Sequence, residues 1–153
     1  MRIGGSAAAI ATAGLVVAVD QATKQLANAN IERGGEVNVF FGLDLTNTRN
    51  TGVAFGALEG AGLAVGILIG VSLALLVAYF AVNRAMPWLW LPVGLLLGGA
   101  LGNLADRVRE GAVIDFIDPV AWPAFNVADA CIVVGVLGLL WVVEGSSRRA
   151  STT

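Results

Sequence analysis

The sequence predicts an all-α membrane protein, with four transmembrane helices, a small β element and a polar loop at one face. Three observations predict it. Hydrophobic residues fill 57% of the 153 positions and charged residues only 13%, about half the roughly 25% of soluble domains. Mean hydropathy is +0.80. Apolar runs cover roughly residues 4–24, 60–82, 86–106 and 125–143, each long enough to cross ~30 Å of hydrocarbon. The length allows one domain, 1–153.

The first run follows Arg2 and reaches Asp20. A basic residue, an apolar stretch and small residues near Ala18 have the layout of a cleavable signal peptide. Asp20 and Lys24 continue the same helical pattern, however, and three more runs follow, so an uncleaved span is the better reading. Residues 25–56 form the only long polar segment. Within it Val37, Val39, Phe41, Leu43 and Leu45 alternate with polar neighbours. That period of two predicts a half-buried strand, continuing as a hairpin through NTRNTGVAFG.

Residues 60–82 carry no charge. Gly62, Gly66 and Gly70, and likewise Gly94, Gly98 and Gly102, form small-residue ridges suited to close helix packing. Asn83, Arg84 and Pro87 close the second span. Trp88 and Trp90 open the third at headgroup level. The third ends at Asp106 and Arg107, and a loop runs through Trp122 and Pro123. The last run closes near Trp141 and Glu144, before an Arg148–Arg149 tail.

The formal charge of −2 and the lack of a basic cluster or RNA motif argue against a nucleic-acid partner. Histidine is absent, which excludes a Ser-His-Asp triad, a Cys-His pair and the usual zinc ligand sets. The single cysteine, Cys131, cannot form an internal disulfide and reads as apolar filler. Neither metal nor cofactor is expected. Of the common acid-base groups, carboxylates supply most of what remains.

Four spans collect the polar groups at one face. The exit of span one carries Asp20 and Lys24, and the entry of span two follows Asn50. The exit of span three carries Asn103 and Arg107, and the entry of span four Asn126 and Asp129; Asp115 lies in the last loop. Asp20 and Lys24, and Asn103 and Arg107, are i,i+4 pairs, so each pair shares a helix face. Asp106 and Glu110 read as loop or interface charges, and Asp118, before Pro119, as a turn residue.

Orientation is less decided by counting. The polar face holds Lys24, Arg33, Arg49, Arg107 and Arg109, and the opposite face Arg2, Arg84, Arg148 and Arg149. The positive-inside rule counts cations rather than net charge, and these counts nearly balance. Glu144 is the one acid on the opposite face, and Arg33 and Arg49 sit in the longer segment of the polar face, where some cations look paired. This favours the opposite face as cytoplasmic and the polar one as extracytoplasmic.

Five motifs in order carry a resemblance: DQATK (Asp20–Lys24), NTGVAF (Asn50–Phe55), GNLADR (Gly102–Arg107), VIDF (Val113–Phe116) and FNVAD (Phe125–Asp129). Together they closely resemble the bacterial lipoprotein signal peptidase family, also called signal peptidase II. The resemblance implies an aspartic endopeptidase of the bacterial cytoplasmic (inner) membrane. Both termini would be cytoplasmic, and the site would lie near the outer leaflet.

Its substrates would be diacylglyceryl-modified prolipoproteins, cut on the N-terminal side of the lipidated cysteine, and its surroundings membrane lipid. By motif position, Asp115 and Asp129 look like the catalytic dyad. Asn50, Asn103, Arg107 and Asn126 look like the supporting shell, with Asp20 and Lys24 as a structural polar pair. The family's β-cradle would match residues 37–45. Two departures stand out: the segment from Asp115 to Asp129 is short, and Ala130 stands where a small hydroxyl residue is common. Oligomeric state is open, with a monomer favoured.

The chemistry fits such a pair. Hydrolysis without a metal or a nucleophilic side chain needs a base for water and an acid for the developing oxyanion or leaving amine. Two close carboxyl groups supply both, because they do not easily ionise together. A transporter with intramembrane carboxylates and a non-enzymatic scaffold are the rivals. No repeat relates the halves, against the first, and the clustered aspartates would be gratuitous in the second.

Overall fold

A computed structural model describes residues 4–51 and 62–150. In chain order the elements are α1 (Gly5–Asn30), β1 (Glu36–Phe40), β2 (Leu43–Asn50), α2 (Gly62–Asn83), α3 (Trp90–Glu110), β3 (Val113–Pro119) and α4 (Val127–Ala150). The protein is thus mostly helical with a small three-stranded sheet. Gly52–Phe55, the greater part of the NTGVAF motif, lies outside the described residues.

Three described helices, α1, α2 and α4, contain stretches long and apolar enough to cross a membrane. The expected third span, α3, does not reach that mark. Its glycines and Asn103 lower its hydropathy, and the helix runs on to Glu110, so Asp106 and Arg107 lie inside it rather than beyond its end. Nothing between Arg107 and Glu110 breaks a helix. Gly111 does, adopting the left-handed conformation at φ 72° that a side chain disfavours. Its N–H closes the last turn on the Arg107 carbonyl at 3.0 Å.

The bundle is built around α3, whose two faces pack on α1 and α4. A Cβ added at Gly94 would meet Thr12 at 2.6 Å, and one at Gly98 would meet Val16 at 2.6 Å. One at Gly102 would meet the Asp20 carboxylate, also at 2.6 Å. This rising series means that α1 and α3 run parallel with their backbones nearly touching. On the other face Gly99 lies against Ala128, while Gly135 and Gly138 of α4 lie against Leu96 and Pro92, an antiparallel crossing. In lipid, where hydrocarbon contact gives helices no hydrophobic reason to associate, such small-residue seams supply the packing.

The ridge expected on α2 behaves differently. Gly66 and Gly70 meet nothing within 4 Å, and α2 touches the bundle through Leu76, Tyr79 and Phe80 around Leu89, Val93 and Val142. Exposed Ile10, Leu15, Leu26, Val133, Leu137 and Trp141 cover the outer faces of α1 and α4, a surface suited to acyl chains rather than water.

The alternating residues 37–45 form a hairpin and not one strand. Val37 pairs with Leu45 and Asn38 with Asp44, and the turn carries Gly42 at φ 83°. Direct partners share a face of the sheet, and as far as Asn38 and Asp44 they also share odd or even numbering. A register shift between Asn38 and Phe40 then pairs Phe40 with Leu43 and breaks the period of two at the turn. Residues 107–123, expected as a loop, contain β3, which pairs antiparallel with β2 to give the order β1-β2-β3. Asp118 is accordingly a strand residue facing Asp44 across the ladder.

Candidate active site

The N-terminus of α4 sets the geometry. Asn126 is the residue before the helix, and its Oδ1 accepts the Asp129 N–H at 2.9 Å while Asp129 Oδ2 accepts the Asn126 N–H at 3.3 Å. This reciprocal capping box satisfies N–H groups that the first turn leaves without helical partners. It also holds the half-buried Asp129 where the partial positive charge of the helix gathers. A further N–H of that turn, from Ala128, bonds Asp20 Oδ1 at 2.9 Å.

Asp115 comes from the middle of β3 and is buried. Its Oδ1 accepts from Asn126 Nδ2 at 2.7 Å, and its Oδ2 from Asn50 Nδ2 at 3.0 Å. Asn126 therefore joins the two aspartates directly, donating its side-chain N–H to the Asp115 carboxyl and its backbone N–H to the Asp129 carboxylate, while its side-chain oxygen accepts the Asp129 backbone N–H. Burial pushes the Asp115 carboxyl up from 3.8 to about 6, against the Asn50 hydrogen bond, with the nearby negative charge of Asp129 adding to the rise. A buried carboxyl at that level holds its proton further into the neutral range than an ordinary one.

The Asn50 contact depends on a β-bulge. Outer pairs run Leu43↔Pro119 to Leu45↔Ile117, and inner pairs Thr48↔Asp115 to Asn50↔Val113, with the register shifting between Leu45 and Thr48. The extra residue puts Asn50 opposite Val113 and so on the face that carries Asp115. In the outer register it would face the other way. The bulge is anchored: Asn47 donates to the Ile31 carbonyl at 2.8 Å and Thr46 to that of Gly35 at 3.0 Å.

Beneath the two aspartates lies a buried polar layer. Lys24 Nζ contacts Asp20 at 2.8 Å, Asp106 at 2.7 Å and Asn103 Oδ1 at 2.9 Å. Asn103 Nδ2 in turn donates to Asp129 Oδ1 at 2.8 Å. Asp106 corrects the sequence reading, since it is 3% exposed, ion-paired, and accepts the Ile114 N–H at 3.2 Å. Gln21, not singled out from the sequence, donates to Asp106 at 2.8 Å and accepts from Arg109 at 2.8 Å. The signal for both was present: Gln21 lies inside DQATK, and Asp106 one helical turn beyond Asn103.

Arg107 is placed otherwise. It is half-buried, and among the described residues its guanidinium bonds the Asn103 carbonyl of its own helix at 3.4 Å and neither aspartate. Glu110 ties α3 to the sheet through Arg49 at 2.7 Å, an exposed carboxylate meeting a half-buried guanidinium. No cluster of potential metal ligands occurs among the described residues.

Lipid-compatible helices bring a buried polar layer to one end of the bundle, and solved structures of the same fold are membrane enzymes. Two, both described as "Bacterial membrane enzyme structure by the in meso method", superpose with TM-scores of 0.78 and 0.81, each at 34% identity. The first match covers 88% of this chain and 91% of the other, the second 91% and 88%. The sequence narrows the class. The model of the signal peptidase (SPase) II family matches residues 12–143. A lipoprotein signal peptidase of Moorella thermoacetica is 43% identical over 83% of this chain and 86% of its own length. That of Pelotomaculum thermopropionicum is 40% identical over 90% and 91%. The chain belongs to the signal peptidase II family, a family of membrane proteases that process lipoproteins.

Proposed function

We propose that the protein is an aspartic endopeptidase that removes the signal peptide from diacylglyceryl-modified prolipoproteins on the N-terminal side of the lipidated cysteine. Asp115 and Asp129 are the catalytic pair. The observation that carries this reading is the Asn126 link, which joins a buried carboxyl to a carboxylate at a helix N-terminus.

Asp115, raised by burial, holds the shared proton at rest. Asp129 takes a proton from water as that water attacks the scissile carbonyl, and Asp115 donates to the developing oxyanion. Collapse of the tetrahedral intermediate then passes a proton to the leaving amine. Asn50, Asn103 and Asn126 hold the pair, and Arg107 serves at the rim of the site. The macroscopic titration belongs to the pair rather than to either residue.

The protein works as a monomer in the bacterial inner membrane, surrounded by lipid. With α3 as a fourth span both termini share one face, the cytoplasmic one in this reading, and the site lies on the extracytoplasmic side. Support for that path comes from the parallel α1–α3 and antiparallel α3–α4 seams, and from Gly5 lying near the Arg84 carbonyl at the other end. A lipid-modified helical substrate then delivers its cleavage point at the level of the aspartates.

The test is incubation of pure protein, in detergent or lipid, with a lipidated precursor and its unlipidated control. Cleavage of the lipidated form alone is expected. Asp115→Asn and Asp129→Asn should each stay folded and lose turnover, and turnover in either variant removes that residue from the pair.

A further inference from the structure

Lys24 is 1% exposed, and the chemistry proposed above makes no use of it. An ammonium has donors and no acceptor. Lys24 therefore dictates which way Asn103 turns: the amide oxygen must face Nζ, at 2.9 Å. A second donor, Asn126 Nδ2, meets that same oxygen at 3.1 Å. The amide nitrogen is left pointing at Asp129, 2.8 Å away. Turned over, Asn103 would set an oxygen against the Asp129 carboxylate and an N–H against the ammonium, two repulsive contacts in a buried site.

We propose that Lys24 is a positioning residue of the peptidase site, fixing the Asn103 amide so that Asp129 always receives a hydrogen-bond donor. The proposal rests on the reading of Asp115 and Asp129 as the catalytic pair. A second line runs from the same ammonium. Asp106 Oδ2, paired with Lys24 at 2.7 Å, also accepts the N–H of Ile114, the residue before Asp115, at 3.2 Å. One cation thus reaches the side chain of one aspartate and the backbone beside the other. The groups facing it are Asp20 on its own helix and Asn103 and Asp106 on α3, with Gln21 bonded to Asp106. Gly102 makes room, since a side chain there would displace the Asp20 carboxylate.

The decisive measurement is kcat and KM for a lipidated precursor in the double variant Lys24→Met, Asp106→Asn, which leaves one buried carboxylate without the ammonium rather than two; that one, Asp20, keeps the Ala128 and Gln21 donors. Misplacement of a catalytic group by about an ångström costs on the order of 100-fold, so kcat should fall by about that factor with KM little changed. Adding Asn103→Ala should cost no more than Asn103→Ala alone, because both act through one amide. A near-wild-type kcat, or losses that multiply independently, would overturn the proposal.

Should that variant not fold, Asn103→Asp keeps an acceptor for Lys24 but sets a second carboxylate against Asp129, so Asn103→Leu, which removes the donor without adding charge, is measured beside it. A loss of about 100-fold in both at unchanged melting temperature supports positioning, and wild-type kcat in either refutes it. Asp115→Asn and Asp129→Asn separate the two claims. Turnover in either discards the catalytic pair itself, whereas loss in both beside wild-type turnover in the Lys24 variant discards only the positioning role.

Discussion

Asn50 donates to Asp115 across the sheet at 3.0 Å because β2 carries one residue more than β3 between Leu45 and Thr48. Replacing Asn50 with leucine keeps the strand and removes the amide donor to Asp115. The helices do not depend on that side chain, so the variant should stay folded and lose cleavage of a lipidated precursor by about 100-fold or more. An Asn50→Leu variant that keeps wild-type turnover would show that this donor is not needed.

Asn126 both caps α4 and donates to Asp115, and one substitution separates these roles. Serine is as good a cap as asparagine but has no donor of that reach, so Asn126→Ser leaves buried acceptors on Asn103, Ile114 and Asp115 without that donor and should cost about 1–3 kcal/mol. Loss of the donor should lower kcat by about 100-fold or more. Asn126→Ala should lose the activity and about 1 kcal/mol more than Asn126→Ser. Thermal unfolding measured alongside turnover checks both.

The raised carboxyl of Asp115 predicts a direction with pH. Between 3.8 and about 6 the folded chain keeps a proton that the unfolded chain has released. Its contribution to stability is therefore full below 3.8 and lost as pH rises through about 6. Asp115→Asn cannot titrate, so its melting temperature relative to wild type should climb over that interval. Because the proposed acid must be protonated, kcat/KM should fall above about 6. A kcat/KM that rises through this range would reverse the assigned roles.

The glycine seams predict unequal costs. At Gly98 an added methyl would lie 2.8 Å from the Ala13 backbone oxygen, and overpacking of this kind costs about 1–3 kcal/mol. At Gly66 it meets nothing within 4 Å, and alanine there should be neutral or slightly stabilising. Detergent-solubilised melting temperatures of Gly98→Ala and Gly66→Ala should therefore diverge, and equal values would contradict the close α1–α3 packing.

Much of the site was legible because its residues sit at the ends of apolar runs, where ionisable groups are least costly in a bilayer. Asp106 was misread because a carboxylate beside an arginine at a run's end looks like a headgroup charge. Only its meeting with Lys24 gives it a buried partner. β3 was missed because VIDFIDP is a short apolar stretch next to a helix, and its pairing partner lies far back in the chain. The hairpin was taken for one strand because apolar residues keep odd numbers on both sides of its turn, which hides the register shift between Asn38 and Phe40.

The sequence by itself determined the solvent of this protein, the set of its polar side chains and the end of the bundle at which they gather. Hydropathy and periodicity depend on each residue and its near neighbours, so they survive without a fold. The tertiary structure alone decided the bulge that turns Asn50 toward Asp115, the orientation of the Asn103 amide, and the partners of Lys24. Each of these is a choice between alternatives that differ by one residue of register or one flip of an amide. Contacts between α1, α3, α4 and the sheet, distant in sequence, make that choice.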